Sequence, residues 1–397
     1  MPFVDADSIA HDAIIDTDIC IIGSGAAGIM LASEFLNTST RVCILESGSH
    51  KPSPVPDAHY AIASSRLPVS PDSRRRGFGG TMNVWSGRWK ELDDIDFRVR
   101  PWVRYSGWPI TREELQPYYE RAASACDIPS SAHSNRHLLE STRIVPAIFR
   151  SQPEHKRIWG QSWKNSFIQS KTVTVYTNAH VTRIETTNGL ATDIRVQTPA
   201  GQSLRVRASR VIIAAGGIEN ARLLLLSSIG NEHDQVGRYY MDHPKNRAGV
   251  IETYHNIHIA GYADCLPITS PVFTGYRLSD EEQEQHGLLN SHIFFEPLRN
   301  RFPHKHLWNY VRPSTHTHAL SIRNYLEQEP NPSQRITLSE IPDVFGLPVA
   351  NIEWTLSEQE QKTIAHFHKV LAVETQRSDV GELDSPLLTE NPDNSGF

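Results

Sequence analysis

Three glycines, at positions 23, 25 and 28, follow the apolar run at the head of TDICIIGSGAAG in a chain of 397 residues. Glycine at these spacings has three uses. It permits a sharp turn, lets a pyrophosphate approach backbone N–H groups, and lets the following helix pack tightly on the strand. A phosphate so placed meets the positive end of a helix dipole. Glu46 stands eighteen residues beyond Gly28, close to the spacing of an acid that accepts hydrogen bonds from ribose hydroxyls and would repel a 2′-phosphate. The pattern points to a dinucleotide other than NADP and does not separate NAD from FAD.

Other residue groups invite chemistry with less direction. The stretch GFGGTMNVWSGRW, residues 77–89, alternates glycines with bulky aromatics. It suits either close approach of a flat ligand or a loop whose aromatics pack inward. The chain holds 19 histidines, with pairs at His255/His258, His304/His306, His316/His318 and His366/His368. Structural zinc sites usually add cysteine ligands to such pairs, and no Cys is close in sequence, so no metal is expected. Asp242-His243-Pro244 reads as a structural turn. His292, inside SHIFFEPL, reads as a strand histidine satisfied by its neighbours, with a pocket-facing role as the alternative. None of these histidines receives a catalytic assignment. The basic run Arg74-Arg75-Arg76 reads as a solvated loop, with an anion-facing loop as the other option.

The elements that must position these residues follow from periodicity. A strand through Ile22, a helix over residues 27–36 and a second apolar strand ending at Glu46 form a βαβ unit. Residues 51–76 are rich in Pro and Ser and read as loop. Thr111 caps a helix, TREELQPYYERAASAC, with acids in its first turn. The runs TVTVYTN, HVTRIETT, ATDIRVQT and SLRVRA, with turn signals at Asn188-Gly189 and Pro199-Ala200-Gly201, predict an antiparallel meander. RVIIAAGG then reads as a buried parallel strand that resumes the first sheet, followed by a helix from Ile218 to Ser227. Beyond Pro244 the chain turns β-rich and aromatic, and it closes with the helix SEQEQKTIAHFHKVLAVETQ and a polar tail.

The expected class is α/β, α+β overall. A Rossmann-like dinucleotide domain with a β-meander would occupy residues 1–245, with a loop and helical insertion at about 51–170. A mostly antiparallel region would occupy residues 246–397. Net charge of −6 and a pI near 6.3 give no general attraction for nucleic acid. No window approaches the roughly 18 apolar residues of a membrane span. Cys20, Cys43, Cys126 and Cys265 lack C-x-x-C spacing, which with an acidic N-terminal segment suggests a reducing, cytoplasmic setting.

Together TDICIIGSGAAG, Glu46, GFGGTMNVWSGRW, WPITREELQPYYERA, VIIAAGGIENARLLLLS, VGRYYMDHP and EQEPNPSQRITLSEIPDVFGLPVANIEW resemble the FAD-dependent glucose-methanol-choline (GMC) oxidoreductases. The flavour is that of the pyranose oxidase and glucoside 3-dehydrogenase branches. The resemblance runs along nearly the whole chain. It implies a Rossmann-like FAD domain, a substrate domain on an antiparallel sheet, and oxidation of an alcohol or sugar CH–OH by hydride transfer to flavin. It places Gly23, Ser24, Gly25, Ala26 and Gly28 at the pyrophosphate and Glu46 at the adenosine ribose. Gly79, Gly80, Thr81, Asn83, Val84 and Trp85 fall along the flavin. Val181 matches the position whose backbone pairs with adenine, and Ala215 and Gly216 match the strand end near the cofactor. Some relatives tether FAD through a histidine where this chain has Val84, so non-covalent FAD is expected.

In that family the catalytic histidine and its Asn or His partner come from an H-H-M-G stretch, which does not occur within these 397 residues. The proton acceptor an alcohol needs is therefore unassigned, and the expectation is a chain lacking that catalytic segment. A non-catalytic flavin- or nucleotide-binding protein, degenerate or part of a split assembly, is the alternative reading. An NAD-dependent dehydrogenase is the third. Substrate, electron acceptor and oligomeric state are not readable.

Overall fold

The computed structural model describes residues 2–51, 61–65, 69, 73–129, 137–258, 272–298 and 316–388. Cys265, His304 and His306 lie outside them. The chain forms two compact units: Met1–Gly87 with Glu154–Tyr240 and Asn331–Thr355, and Arg88–Pro153 with Met241–Pro330 and Leu356–Phe397.

The first unit is built on a seven-stranded sheet in the order Phe3–Asp5, Val173–Thr177, Val42–Leu45, Ile14–Ile22, Ser203–Ile213, Leu190–Gln197, His180–Thr187. The first five strands run parallel and the last two turn back antiparallel. This is the α/β plan with a β-meander expected from the sequence. Continuous apolar strands such as VCIL are buried along their whole length, as a central parallel strand requires.

Two details of the sequence reading change. TVTVYTN is not part of the meander: Val173–Thr177 pairs in parallel with both Val42–Leu45 and Phe3–Asp5. Alternation reports a strand's faces but not its partner. SLRVRA and RVII are one continuous strand, Ser203–Ile213.

A smaller sheet in the same unit joins Arg335–Pro342, Pro348–Glu353 and Ile62–Ser65. Ile336, Ile352 and Trp354 pack there against Ile218 and Ala221 of the helix Gly217–Ser227. That burial draws residues 331–355 into the first unit, while residues 88–153 join the second, so a single cut near 245 does not describe the compact units. Arg222 reinforces the packing: its guanidinium reaches Asp343 at 2.6 Å and the Pro348 carbonyl at 2.8 Å, with both side chains buried.

The second unit carries the other seven-stranded sheet, Gly381–Asp384, Lys245–His258, His316–Tyr325, His292–Pro297, Val272–Leu278, Ile144–Ser151, Arg88–Trp89. Every pairing in it is antiparallel. One face buries Ile251, Tyr276, Ile293, Phe295 and Ile322 against Phe367 and Leu371 of the helix Glu358–Arg377. Each such large apolar side chain contributes roughly 1.5–3 kcal/mol by leaving water. Ser357 caps that helix in a reciprocal box with Glu360. Thr111 does the same with Glu114 for the helix Arg112–Ala125, as the hydroxyl and acids of the sequence led us to expect.

Candidate functional site

At the C-terminal ends of the parallel strands, several sequence-distant segments meet. Gly23 leaves the strand Ile14–Ile22 with φ of +101°, and a Cβ there would lie 2.6 Å from the Ala214 carbonyl oxygen. Only glycine makes this turn beside the end of the Ser203–Ile213 strand. Its N–H donates to the Leu45 carbonyl at 2.8 Å, and the Ala214 N–H donates to the Ile22 carbonyl at 2.8 Å, which ties three strand ends together. The helix Ala26–Ser33 starts immediately, with Gly25 as N-cap and no side-chain cap. A Cβ on Gly28 would sit 2.0 Å from the Gly23 carbonyl oxygen, whereas one on Gly25 would meet no atom within 4 Å. Gly28 is therefore a packing glycine, and Gly25 borders free space at a positive helix end whose first N–H groups lack intrahelical partners.

Glu46 is buried at the tip of the neighbouring strand. One carboxylate oxygen accepts from the Ser24 hydroxyl at 2.5 Å and the Ser24 N–H at 3.2 Å. The other accepts from Gly48 N–H at 2.8 Å and Gly77 N–H at 2.9 Å. Four donors match the roughly four acceptor positions of a carboxylate. Glu46 thus fastens the glycine turn to the segment that starts at Gly77. That segment closes on the turn: Gly79 N–H donates to the Ser24 carbonyl at 3.1 Å, and a Cβ on Gly80 would lie 3.0 Å from the Gly25 Cα.

The structure places the remaining sequence-selected residues as follows. Thr81 and Asn83 lie in a short 3-10 turn, Gly80–Asn83. The Thr81 hydroxyl accepts from Arg75 N–H at 3.2 Å. Asn83 donates to the Phe78 carbonyl at 3.0 Å and accepts from Gly160 N–H at 2.7 Å, so it holds the turn against the helix Trp159–Ser162. Val84 is exposed, and Trp85 donates its indole N–H to the Arg157 carbonyl at 2.8 Å. Ala215 N–H donates to the Asn220 side chain at 2.8 Å. Gly216, at φ +89°, caps the helix Gly217–Ser227 and borders free space. Val181 pairs with Val196 in the meander and packs at the edge of the sheet's core.

Gly23, Ser24, Gly25, Glu46, Gly79, Gly80 and Ala215 thus come together. Gly48, Gly77, Gly160 and Asn220 belong to the same construction. Gly48, Gly77 and Asn220 stand close to residues already chosen, and Gly160 carried no signal beyond being a glycine.

The arginine run is not a solvated loop. Arg76 is buried and donates to the Ser47 hydroxyl at 3.1 Å and to the Ser47 carbonyl, while Arg74 pairs with Glu219 at 2.7 Å. Partners from other segments absorb these charges, which no local charge pattern reveals.

In the second unit, His292, Phe294 and Glu296 fall on the sheet face opposite the helix-covered core by the period of two. Phe149, Phe273 and Phe294 cluster there, with centroids 4.9–5.8 Å apart. Tyr325 sits 5.4 Å from Phe294, and the Arg88 guanidinium 5.2 Å from the Phe273 ring. His292 meets Phe149 edge-on, and its Nε2 lies 3.5 Å from Asp93. Burial pushes the His292 pKa down despite the pull of Asp93. Burial also works against the Asp93 carboxylate, but His292, the Lys90 ammonium 2.6 Å away and Asn290 outweigh it and hold the group far below the usual range. His243 stacks on Tyr325 and bonds to Asp242 at 2.6 Å.

Comparison with known proteins agrees with this architecture. The model of the GMC oxidoreductase family matches residues 148–245. Fructose dehydrogenase large subunit of Gluconobacter japonicus is 23% identical, over 88% of this chain and 82% of that protein. The 2-methyl-1,2-propanediol dehydrogenase of Mycolicibacterium austroafricanum is 22% identical, over 87% of this chain and 78% of that protein. Among solved structures, pyridoxine 4-oxidase from Mesorbium loti superposes with a TM-score of 0.59 at 14% identity, covering 95% of this chain and 84% of that one. Formate oxidase gives 0.52 at 16% identity, covering 96% and 86%. The chain is thus similar to the GMC oxidoreductases, a flavin-dependent family of enzymes, through this family match and these relatives.

Proposed function

We propose that the first unit binds FAD non-covalently and that the protein oxidises a CH–OH group of an alcohol or sugar. The observation that carries this reading is the junction at the strand ends. There the glycine turn, the Glu46 carboxylate, the Gly77–Asn83 segment and the Ala214–Gly216 strand end converge, and Gly25 and Gly216 face free space. The residues fit the group. Ser24, Gly25 and Ala26 border the pyrophosphate, with Gly23 making the turn and Gly28 packing the helix against it, and amides and dipole supply the positive field. Glu46 fixes the cradle and borders the adenosine ribose, whose hydroxyls must share an oxygen already bonded within the protein. Gly79, Gly80, Thr81, Asn83, Val84 and Trp85 line the flavin, Val181 meets adenine through its backbone, and Ala215 and Gly216 close the strand-end side.

Held by these residues, FAD would supply the hydride acceptor for oxidation of the substrate CH–OH. The chain's own part is to hold, orient and shield. We assign the substrate wall to the aromatic face around Phe149, Phe273 and Phe294, whose apolar rings suit the C–H face of a small alcohol or sugar. A reducing compartment belongs to this reading, supported by the buried free thiols of Cys20 and Cys43.

The test is anaerobic addition of candidate alcohols and sugars to the flavin-loaded protein. Bleaching of the flavin absorption bands is expected. A bound flavin that no alcohol or sugar reduces would favour the non-catalytic binding protein. Purified protein that neither carries nor takes up FAD would remove the proposal.

A further inference from the structure

Of the histidine pairs read from the sequence, His366 and His368 point to different partners in the fold. His255 pairs with Asp379 at 3.2 Å, and His368 turns inward to Ser385 at 2.8 Å and Asn324 at 3.0 Å. His366 instead meets two residues of the helix Asp280–His286. Its Nε2 lies 2.7 Å from Glu282 Oε1, and His286 Nε2 lies 3.5 Å from the same oxygen. The two imidazole rings are 4.3 Å apart. One ligand atom from each of the three residues lies within 4.8 Å of the other two. Glu282 and His286 are four residues apart on one helix face, and His366 comes from the separate helix Glu358–Arg377.

We infer that Glu282, His286 and His366 bind a divalent metal ion of the zinc class, which clamps the helix Asp280–His286 to the helix Glu358–Arg377. Two imidazoles and one carboxylate oxygen are ligand types that zinc accepts, with bonds of about 2.0–2.2 Å, which sets ligand atoms roughly 3.3 Å apart in a tetrahedron. The glutamate–His366 pair has only to open by about half an ångström to meet that spacing. A metal ion would satisfy nitrogens of both rings at once.

Arg143 reaches Glu282 at 2.9 Å and 2.8 Å and orients the carboxylate. Its charge and that of nearby Lys362, whose ammonium donates to the His286 carbonyl at 2.7 Å, make the site a moderate one. Both imidazoles keep partial solvent access, at 36% and 21% side-chain exposure, which leaves water to complete the coordination.

The inference stands apart from the flavin reading. The full chain, without an affinity tag and freed of metal by chelation, is titrated with zinc chloride and followed calorimetrically. One equivalent should bind saturably. His286→Ala and His366→Gln should each weaken binding more than about tenfold, while His255→Ala should leave it unchanged. Hydrogen exchange of the unaltered chain gives a second readout that needs no variant: zinc should slow exchange in residues 280–287 and 358–368. Absence of saturable uptake, uptake undiminished by His286→Ala and His366→Gln, or exchange unmoved by zinc would overturn the site.

Discussion

The two seven-stranded sheets put their chemistry in different places. The parallel sheet buries the apolar strand Val42–Leu45 along its whole length and concentrates polar contacts in turns at one set of strand ends, where Gly23, Ser24, Glu46 and Ala214 meet. The antiparallel sheet gives one face to a helix and spreads rings and charges across the other, from Phe149 through Phe273 and His292 to Tyr325. A strand buried on both faces has only its ends free for function, while a strand covered on one side can use every second residue. The first kind of site should fail through loss of turn geometry. The second should tolerate gradual change of shape.

The largest effect is expected where the strand-end junction is held from behind. Asp343→Ala removes one of the two carboxylates that meet the buried Arg222, leaving Glu219 at 3.2 Å, and should cost about 3 kcal/mol, measured by urea unfolding, with flavin retention falling in parallel. Burial opposes ionisation of Asp343, but its bond to Arg222 and two backbone N–H groups win, so its pKa is lowered. Its contribution is present above the ordinary value of 3.8 and declines as pH falls below it.

Gly28→Ala puts a Cβ against the Gly23 carbonyl and should destabilise by about 2–3 kcal/mol, with flavin lost from the purified protein. Phe294→Leu, on the aromatic face, should cost about 1 kcal/mol, keep the flavin bound and raise KM for the substrate. A KM left unchanged would remove that face from the substrate wall. Gly25→Ala, whose added methyl meets free space, should change stability by less than about 0.5 kcal/mol. It should nevertheless weaken FAD binding about tenfold, read by flavin fluorescence. Equal effects at Gly25 and Gly28 would erase the distinction between a ligand-facing and a packing glycine.

The first sheet was the more legible because its signals are local. A strand, three glycines and a terminal acid within about thirty residues define the crossover, and the helix caps at Thr111 and Ser357 announce themselves within one turn. The partner of a strand is not local, so Val173–Thr177 was drawn into the meander when it pairs with Val42–Leu45. The arginine run was misjudged for the same reason, since the carboxylate that meets Arg74 belongs to Glu219. For Glu46 the spacing pointed to a ribose, while the fold shows its oxygens bridging Ser24, Gly48 and Gly77.

By itself the sequence determined that a dinucleotide-type crossover opens the chain and where its glycines stand, because steric demands at a tight turn act on a few neighbouring residues. Only the tertiary structure decided which glycine packs and which faces space, which arginines are spent inside the protein, and that His366 joins His286 and Glu282 rather than His368. Those outcomes depend on distances between segments far apart in the chain. Such distances are set by how whole sheets and helices bury their apolar faces, which no short stretch of sequence encodes.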